Sequence, residues 1–471
     1  MAVCLSFSAI QSFSDGVIIN PVLIQQEPEN FKSVLAKAEQ GDAESQYRVG
    51  KCYYDGRGIT EDEKVDQNFT LAVKWYQQAA DLGYPDAQHD LGLCYHFGYG
   101  VEQDATIAFK LFKLAANQGH VRAQCILGVC YAHGMGVDQS YEMAARWYEL
   151  AANKGDTQAQ YNLGYCYDHG RGVPQSFSKA VKWYQTAADL GDAMAQCNLG
   201  TCYEAGKGVE QNYETAAKWY QVSADNGYAV AQYNLALCYR HGKGVEQNDK
   251  MAVKWYQAAA NQGDANAQCN LGYCYNHGRG VKQDSYMAVK WYQVSADQGN
   301  ALAQRNLGTC YYNGSGVVQD YKMAAKWYQA AAEQGDASAQ YSLAICYQDG
   351  LGVIQNYSTA VKWYKEAANQ GNADAQNNLG VCYAKGTGVA QDQETAVKWY
   401  QVSANQGYAI AQYNLGMCYF NGDGVEQNDE LAEKWLTFAA DQDYAPAIEM
   451  LESVKFYERD SLPSTSEYHL K

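Results

Sequence analysis

Residues 159–167 read Ala-Gln-Tyr-Asn-Leu-Gly-Tyr-Cys-Tyr, and the pattern returns down the whole chain. Its glutamine stands at Gln88, Gln124, Gln160, Gln196, Gln232, Gln268, Gln304, Gln340, Gln376 and Gln412, at steps of 36 residues. An earlier copy begins at Ser45-Gln46, 42 residues before Gln88, with six extra residues around 60–66. This gives eleven full copies and the start of a twelfth at Ala447. Self-similarity of this period signals stacked supersecondary units, none of which can bury its apolar face alone.

Each copy reads as two helices. Ala159, Leu163, Cys166 and Tyr167 fall on one helical face at i, i+4, i+7 and i+8. Gly170 then offers the left-handed conformation that closes a helix, and Gly172-Val173 continue the turn. The second helix opens at a capping column: Asn68, Asp104, Ser140, Ser176, Asn212, Asn248, Asp284, Asp320, Asn356, Asp392 and Asn428. All eleven side chains can accept from an unpaired N–H at a helix start. Ala180, Trp183, Tyr184, Ala187 and Ala188 follow, small residues for close approach and rings to fill the gaps. The spacing therefore predicts an all-α solenoid of eleven helix-turn-helix repeats. We expect a flexible segment at 1–27, a capping helix at 28–42, repeats over 43–446, a closing helix at 447–458 and a polar tail at 459–471.

The 471 residues carry 35 basic and 52 acidic side chains, a formal charge of −17. Such a chain releases no counterions from a phosphate backbone, so nucleic acid is not the expected partner. No run of 18 apolar residues occurs, so no membrane-spanning helix is expected. The N-terminal segment 1–20 lacks a basic start and is interrupted by polar residues, a poor match to a secretory signal. Fifteen cysteines are present. Eleven form one column, Cys52, Cys94, Cys130, Cys166, Cys202, Cys238, Cys274, Cys310, Cys346, Cys382 and Cys418, where they act as small apolar residues. Cys125, Cys197 and Cys269 lie five positions earlier and are misaligned for a bridge. An odd count with a single column points to a reducing, cytoplasmic compartment.

The pattern Ala-x-x-x-Leu-Gly-x-x-Tyr-x-x-Gly-x-Gly-Val, then Ala-x-x-Trp-Tyr-x-x-Ala-Ala-x-x-Gly, resembles the Sel-one-like repeat family, a 36-residue cousin of the tetratricopeptide repeat. The resemblance covers about 43–457. It implies a right-handed superhelix whose first helices line a concave groove, and a role as an adaptor or scaffold for other proteins. It also implies two alternatives. One is a bacterial protein secreted or delivered to a host cell, for which the tail ending Glu467-Tyr468-His469-Leu470-Lys471 is the only sequence hook. The other is a hydrolase of the cysteine-rich branch, which this chain lacks the second cysteine column to match.

Within that frame the first helix carries an asparagine column: Asn162, Asn198, Asn234, Asn270, Asn306, Asn378 and Asn414. Its amides could hold an extended peptide by the backbone, or join one repeat to the next. The position before it varies, with Tyr161, Tyr233, Tyr341, Cys197, Arg305 and others. So does the position three later, with Tyr165, Thr201, Tyr273, Thr309 and others. Variable side chains on a constant frame are what a binding surface carries. We expect Tyr161, Asn162, Tyr165, Asn198, Tyr233, Asn234, Asn270, Tyr273, Asn306, Tyr341 and Asn414 to meet a partner peptide or domain of a monomeric chain.

The remaining motifs point to no chemistry. His133, His169, His241 and His277 share a position, but equivalent atoms of neighbouring repeats are roughly 10 Å apart, too far for one metal. The basic column before each Trp, from Lys74 to Lys434, reads as a solvated ridge. Ser176-Phe177-Ser178-Lys179 has the Ser-x-x-Lys form, but Ser176 is already a helix cap and no companion motif exists. No phosphate loop, dinucleotide fingerprint or zinc-protease motif occurs, so neither catalysis nor a cofactor is expected.

Overall fold

A computed structural model describes residues 29–461, with side chains as far as Ser453. Among these residues there are 24 helices and no strand. The segment 1–27 and most of the tail lie outside the described residues. The chain divides into two compact units, Met1–Asp192 with repeats 1–4 and Ala193–Lys471 with repeats 5–11.

Repeat 4 shows how one copy is built. Helix A, Thr157–His169, ends on Gly170 at φ 65°, whose N–H donates to the Cys166 carbonyl. Helix B, Phe177–Asp189, starts when the Ser176 side chain accepts from the Lys179 N–H. The capping column behaves this way in all eleven repeats. The ring of Tyr184 lies flat on the bare backbone of Gly164, where a Cβ would come within 2.8 Å of Cδ1. Tyr184, Leu163, Ala180 and Ala187 are almost wholly buried, and each large side chain of this kind stabilises by about 1.5–3 kcal/mol.

Repeats join through three devices. The tryptophan of helix B joins its repeat to the preceding one: Trp327 shares a core cluster with Ala288, Tyr292 and Ala296 of repeat 7. Leu111, the one departure from Trp, shares a core cluster with Ala72, Tyr76 and Ala79 of repeat 1 in the same way. The second loop glycine lies against the start of the preceding helix B. A Cβ on Gly172, at φ 73°, would sit 2.0 Å from the Tyr141 carbonyl oxygen, so only glycine fits this approach.

The third device is the buried glutamine column. Gln304 Nε2 donates to the Ala296 carbonyl at the end of the preceding helix B. Its Oε1 accepts from Gln334 Nε2 at 2.7 Å, across the repeat. The same two bonds recur at Gln232, Gln268, Gln340, Gln376 and Gln412.

The N-terminal helix runs Phe31–Glu39, shorter than the 28–42 expected, because Asn30 caps its start. The six-residue insertion of repeat 1 folds back to hold it. Glu63 accepts from the backbone N–H groups of Phe31, Ile59 and Thr60, which holds its carboxyl below the usual range. The last helix runs Ala445–Ser461, beyond the expected end at 458.

Candidate functional site

Helix A positions the candidate residues in three columns, and the structure treats them differently. The column before the asparagines is mostly closed. His89, Cys125, Tyr161, Cys197, Cys269 and Asn377 are buried, with Tyr161 only 5% exposed. The expectation of open aromatic surface at this position is corrected for Tyr161, whose ring packs toward Tyr184 at 6.0 Å. Tyr233 and Tyr341 are half-buried and stand in the same way against Tyr256 and Tyr364.

The asparagine column is in part a seam between repeats. Asn270 Nδ2 donates to the Tyr233 hydroxyl at 3.4 Å and Asn414 Nδ2 to Asn377 Oδ1 at 2.9 Å. Asn234 Nδ2 lies 3.8 Å from Cys197 Sγ. Asn162 is buried. Asn198 and Asn306 are half-buried. To bind a backbone, the amides of Asn234, Asn270 and Asn414 would have to leave bonds they already make, so at these three positions the inter-repeat reading fits the geometry better.

The third column remains accessible. Thr201 and Thr309 are exposed, and Tyr165 and Tyr273 are half-buried. Around Tyr273 a cleft of about 310 Å³ opens between helix A of repeats 7 and 8. Tyr273, Asn276, His277, Asn306, Thr309 and Asn313 are among the residues lining it. The His277 ring stacks on Tyr273 at 4.1 Å, held there as Nδ1 donates to the Tyr273 carbonyl at 3.0 Å. The guanidinium carbons of Arg240 and Arg279 lie 4.9 and 5.5 Å from the centre of the same ring.

Sequence reasoning missed one position that matters here. Four residues after the helix-A glycine stand Tyr54, His96, Ala132 and Asp168 in the first unit. In the second unit the same place holds Glu204, Arg240, Asn276, Tyr312, Gln348, Ala384 and Phe420. The hydroxyl of the helix-B tyrosine reaches it: Tyr220 donates to Glu204 at 2.8 Å and Tyr364 to Gln348 at 3.0 Å. The signal was present, since the position differs between successive copies right after a constant tyrosine.

The rest of the surface follows the sequence reading more closely. The basic column of helix B is exposed throughout, and Lys254, Lys326 and Lys362 lie over the rings of their own Trp255, Trp327 and Trp363. The fourteen cysteines from Cys52 to Cys418 are buried and form no disulfide with one another. Burial pushes the Cys166 and Cys269 thiols up to about 12. Cys4 lies outside the described residues. Among the described residues no group of three or more His, Cys, Asp or Glu side chains could hold a metal ion. No described helix is long and apolar enough to cross a membrane.

Comparison with known proteins follows this geometry. The Sel1 repeat matches eleven times without a gap, from 43–84 and 85–120 through to 373–408 and 409–444. The chain is similar in structure to c5321, described as a protective antigen present in uropathogenic Escherichia coli strains displaying an SLR fold. The two are 33% identical with a TM-score of 0.77, over 94% of this chain and 99% of that one. A Sel1 repeat protein from Oxalobacter formigenes is 31% identical with a TM-score of 0.52, over 72% of this chain and 98% of that one. Among curated proteins, the ERAD-associated E3 ubiquitin-protein ligase component HRD3A of Arabidopsis thaliana is 34% identical over 76 residues. That match covers 16% of this chain and only 10% of the relative's length.

Proposed function

Because this chain belongs to the Sel1 repeat family, whose solenoids are protein-interaction scaffolds, we propose that it holds partner peptides or domains on the helix-A face of its repeats. The observation that carries this reading is the contrast on helix A itself. Packing residues such as Leu163 and Gly164 repeat almost unchanged, while the accessible positions at Tyr165, Asp168 and their equivalents differ from copy to copy. The cleft beside Tyr273 is the clearest opening on that face in the second unit. A buried cysteine in every copy with no disulfide among them suits a reducing compartment.

The test is affinity capture from lysate with the full chain and a variant carrying Tyr165→Ala and Tyr273→Ala, with circular dichroism to verify that both stay helical. A partner held by the wild type and lost by the folded variant supports the helix-A face. Identical partner sets would move the binding surface to the helix-B face or the termini.

The likeness to a protective antigen supports a second reading, a bacterial protein presented to a host or delivered into its cells. A reporter-fusion translocation assay, with and without the last twenty residues, separates the two.

A further inference from the structure

At several joints the residue just before the asparagine column meets the residue that opens the next helix A, and the chemistry differs from joint to joint. Arg305 pairs with Asp336 at 3.3 Å. Cys125 faces Asp156, and the rings of Tyr413 and Tyr444 lie 5.5 Å apart. Between repeats 2 and 3 the same place holds two histidines, His89 and His120, with ring centres 4.8 Å apart. Their side chains are only 8% and 16% exposed, so charge placed on them is less screened than charge on the surface.

The hydrogen bonds of both rings suit the neutral imidazole. His89 Nδ1 lies 2.7 Å from Asp90 Oδ1, so the ring proton sits there, and its Nε2 is buried without a partner. His120 Nδ1 accepts from the Ala123 N–H at 3.0 Å and so caps the helix Val121–His133. Its Nε2 lies 3.4 Å from Asp86 Oδ1. A second proton on His89 would make a buried N–H with no acceptor. On His120 it would turn the capping nitrogen into a donor aimed at another N–H, and set a cation at the positive end of a helix dipole. Two charged rings this close also repel.

The surrounding groups do not reverse this balance. Asp86 and Asp90, on the helix that carries His89, each face the nitrogen that already bears the proton. The hydrogen bond from His120 holds the Asp86 carboxyl below its usual range, so it stays charged in mild acid. Tyr47 of repeat 1 is hydrogen-bonded to Asp90, while Tyr76 and Tyr84 face Asp90 and Asp86. Burial pushes all three hydroxyls up, so they stay neutral. Helix B of repeat 2 brings the Phe112 ring, 6.1 Å from that of His89. Arg122 follows His120 in the first turn of the capped helix, and Lys154 donates to the neighbouring Gly119 carbonyl. Both are cations and disfavour a further positive charge.

We propose that the His89–His120 contact is an acid-sensitive joint, which closes repeat 2 on repeat 3 at neutral pH and opens when mild acid protonates the pair. The opened joint binds more protons than the closed one. Its stability is therefore present at neutral pH and is lost as pH falls through the range in which histidine titrates, about pH 8 to 5. Each repeat leans only on its neighbours, so opening this joint uncouples repeats 1 and 2 from those that follow.

The test is hydrogen exchange of the full chain at about pH 7.5 and about pH 5.5. Mass spectrometry reads the rate over Val121–His133 divided by the rate over Ala337–Asp349, the helix opened by Asp336. Taking the ratio removes the intrinsic effect of pH on exchange. The expected result is a ratio roughly fivefold or more higher in acid, the value of one lost cap. His120→Asn keeps a capping side chain of the kind that Asn300 and Asn372 provide, and its ratio should be the same at both pH values. Circular dichroism verifies that this variant stays helical. A wild-type ratio that is flat or falls in acid would overturn the proposal. So would an acid rise that persists in His120→Asn, since the histidine pair would then not be the sensor.

Discussion

The first four repeats and the following seven are built alike and differ in how they close one buried hydrogen bond. In repeats 5–11 the residue thirty places after the column glutamine is an amide: Asn226, Gln262, Gln298, Gln334, Gln370, Gln406 or Gln442. Each donates to the glutamine Oε1 at 2.6–3.0 Å. In repeats 1–4 the equivalent residue is Leu82 (displaced by the six-residue insertion), Gln118, Lys154 or Leu190, and only Gln118 completes the bond. Gln46, Gln124 and Gln160 are buried with Oε1 unpartnered. A buried acceptor left without a donor costs about 1–3 kcal/mol. The second unit adds Ser223, Ser295 and Ser403, whose hydroxyls donate to Ala193, Ala265 and Ala373 carbonyls at 2.6–2.8 Å. Alanine fills that place throughout the first unit. Equal burial thus does not mean equal stability, and the Tyr273 cleft lies in the unit whose amide ladder is complete.

The largest expected effect is one the two units should share. Gly136→Ala and Gly244→Ala each force a side chain into the left-handed region and to 2.0 Å from a carbonyl oxygen, of Ala105 and Tyr213 respectively. Each should cost about 3 kcal/mol or more. Hydrogen exchange around each loop measures this, and tolerance in one unit alone would break the claim of a common frame. Next comes the contrast itself. Gln304→Leu removes two bonds and should cost about 2 kcal/mol, while Gln160→Leu also removes an orphaned acceptor and should cost under about 1 kcal/mol. Comparing urea midpoints decides this, and equal losses would refute the ladder as the difference. Leu82→Gln and Leu190→Gln supply the missing donors at exposed positions and should each gain about 1 kcal/mol by the same readout. The smallest change is Ser295→Ala, which restores the residue of the first unit and should lower stability by less than about 1 kcal/mol.

Most of the architecture was legible because the repeat exposes it. The capping column from Asn68 to Asn428 and the glycine pairs needed only local chemistry, and both stand where the spacing put them. The asparagine and tyrosine columns were harder. Position on helix A says which face a residue is on, but not how closely the next repeat covers it. Tyr161 and Tyr165 look alike in sequence, yet one is sealed by packing against Tyr184 and the other stays open. The glutamine column was used to set the register and its bonding was overlooked, since its partner lies thirty residues away with no local signature. Arg240 was invisible for a related reason: its partners Asn270 and Tyr273 come from the following repeat.

The measurement that tests the account most directly uses the thiols as reporters. Burial has raised them to about 11–12, at Cys52, Cys94, Cys130 and Cys166 in the first unit and at Cys197, Cys238 and Cys310 in the second. They therefore react only when their repeat opens. Pulsed alkylation across a urea series, read by mass spectrometry, should label Cys52, Cys94, Cys125, Cys130 and Cys166 at lower urea than the nine described cysteines from Cys197 to Cys418. The gap should narrow in the Leu82→Gln, Lys154→Gln, Leu190→Gln variant. Simultaneous labelling of both units, or a gap untouched by the three added amides, would contradict the claim that the completed ladder sets their stability apart.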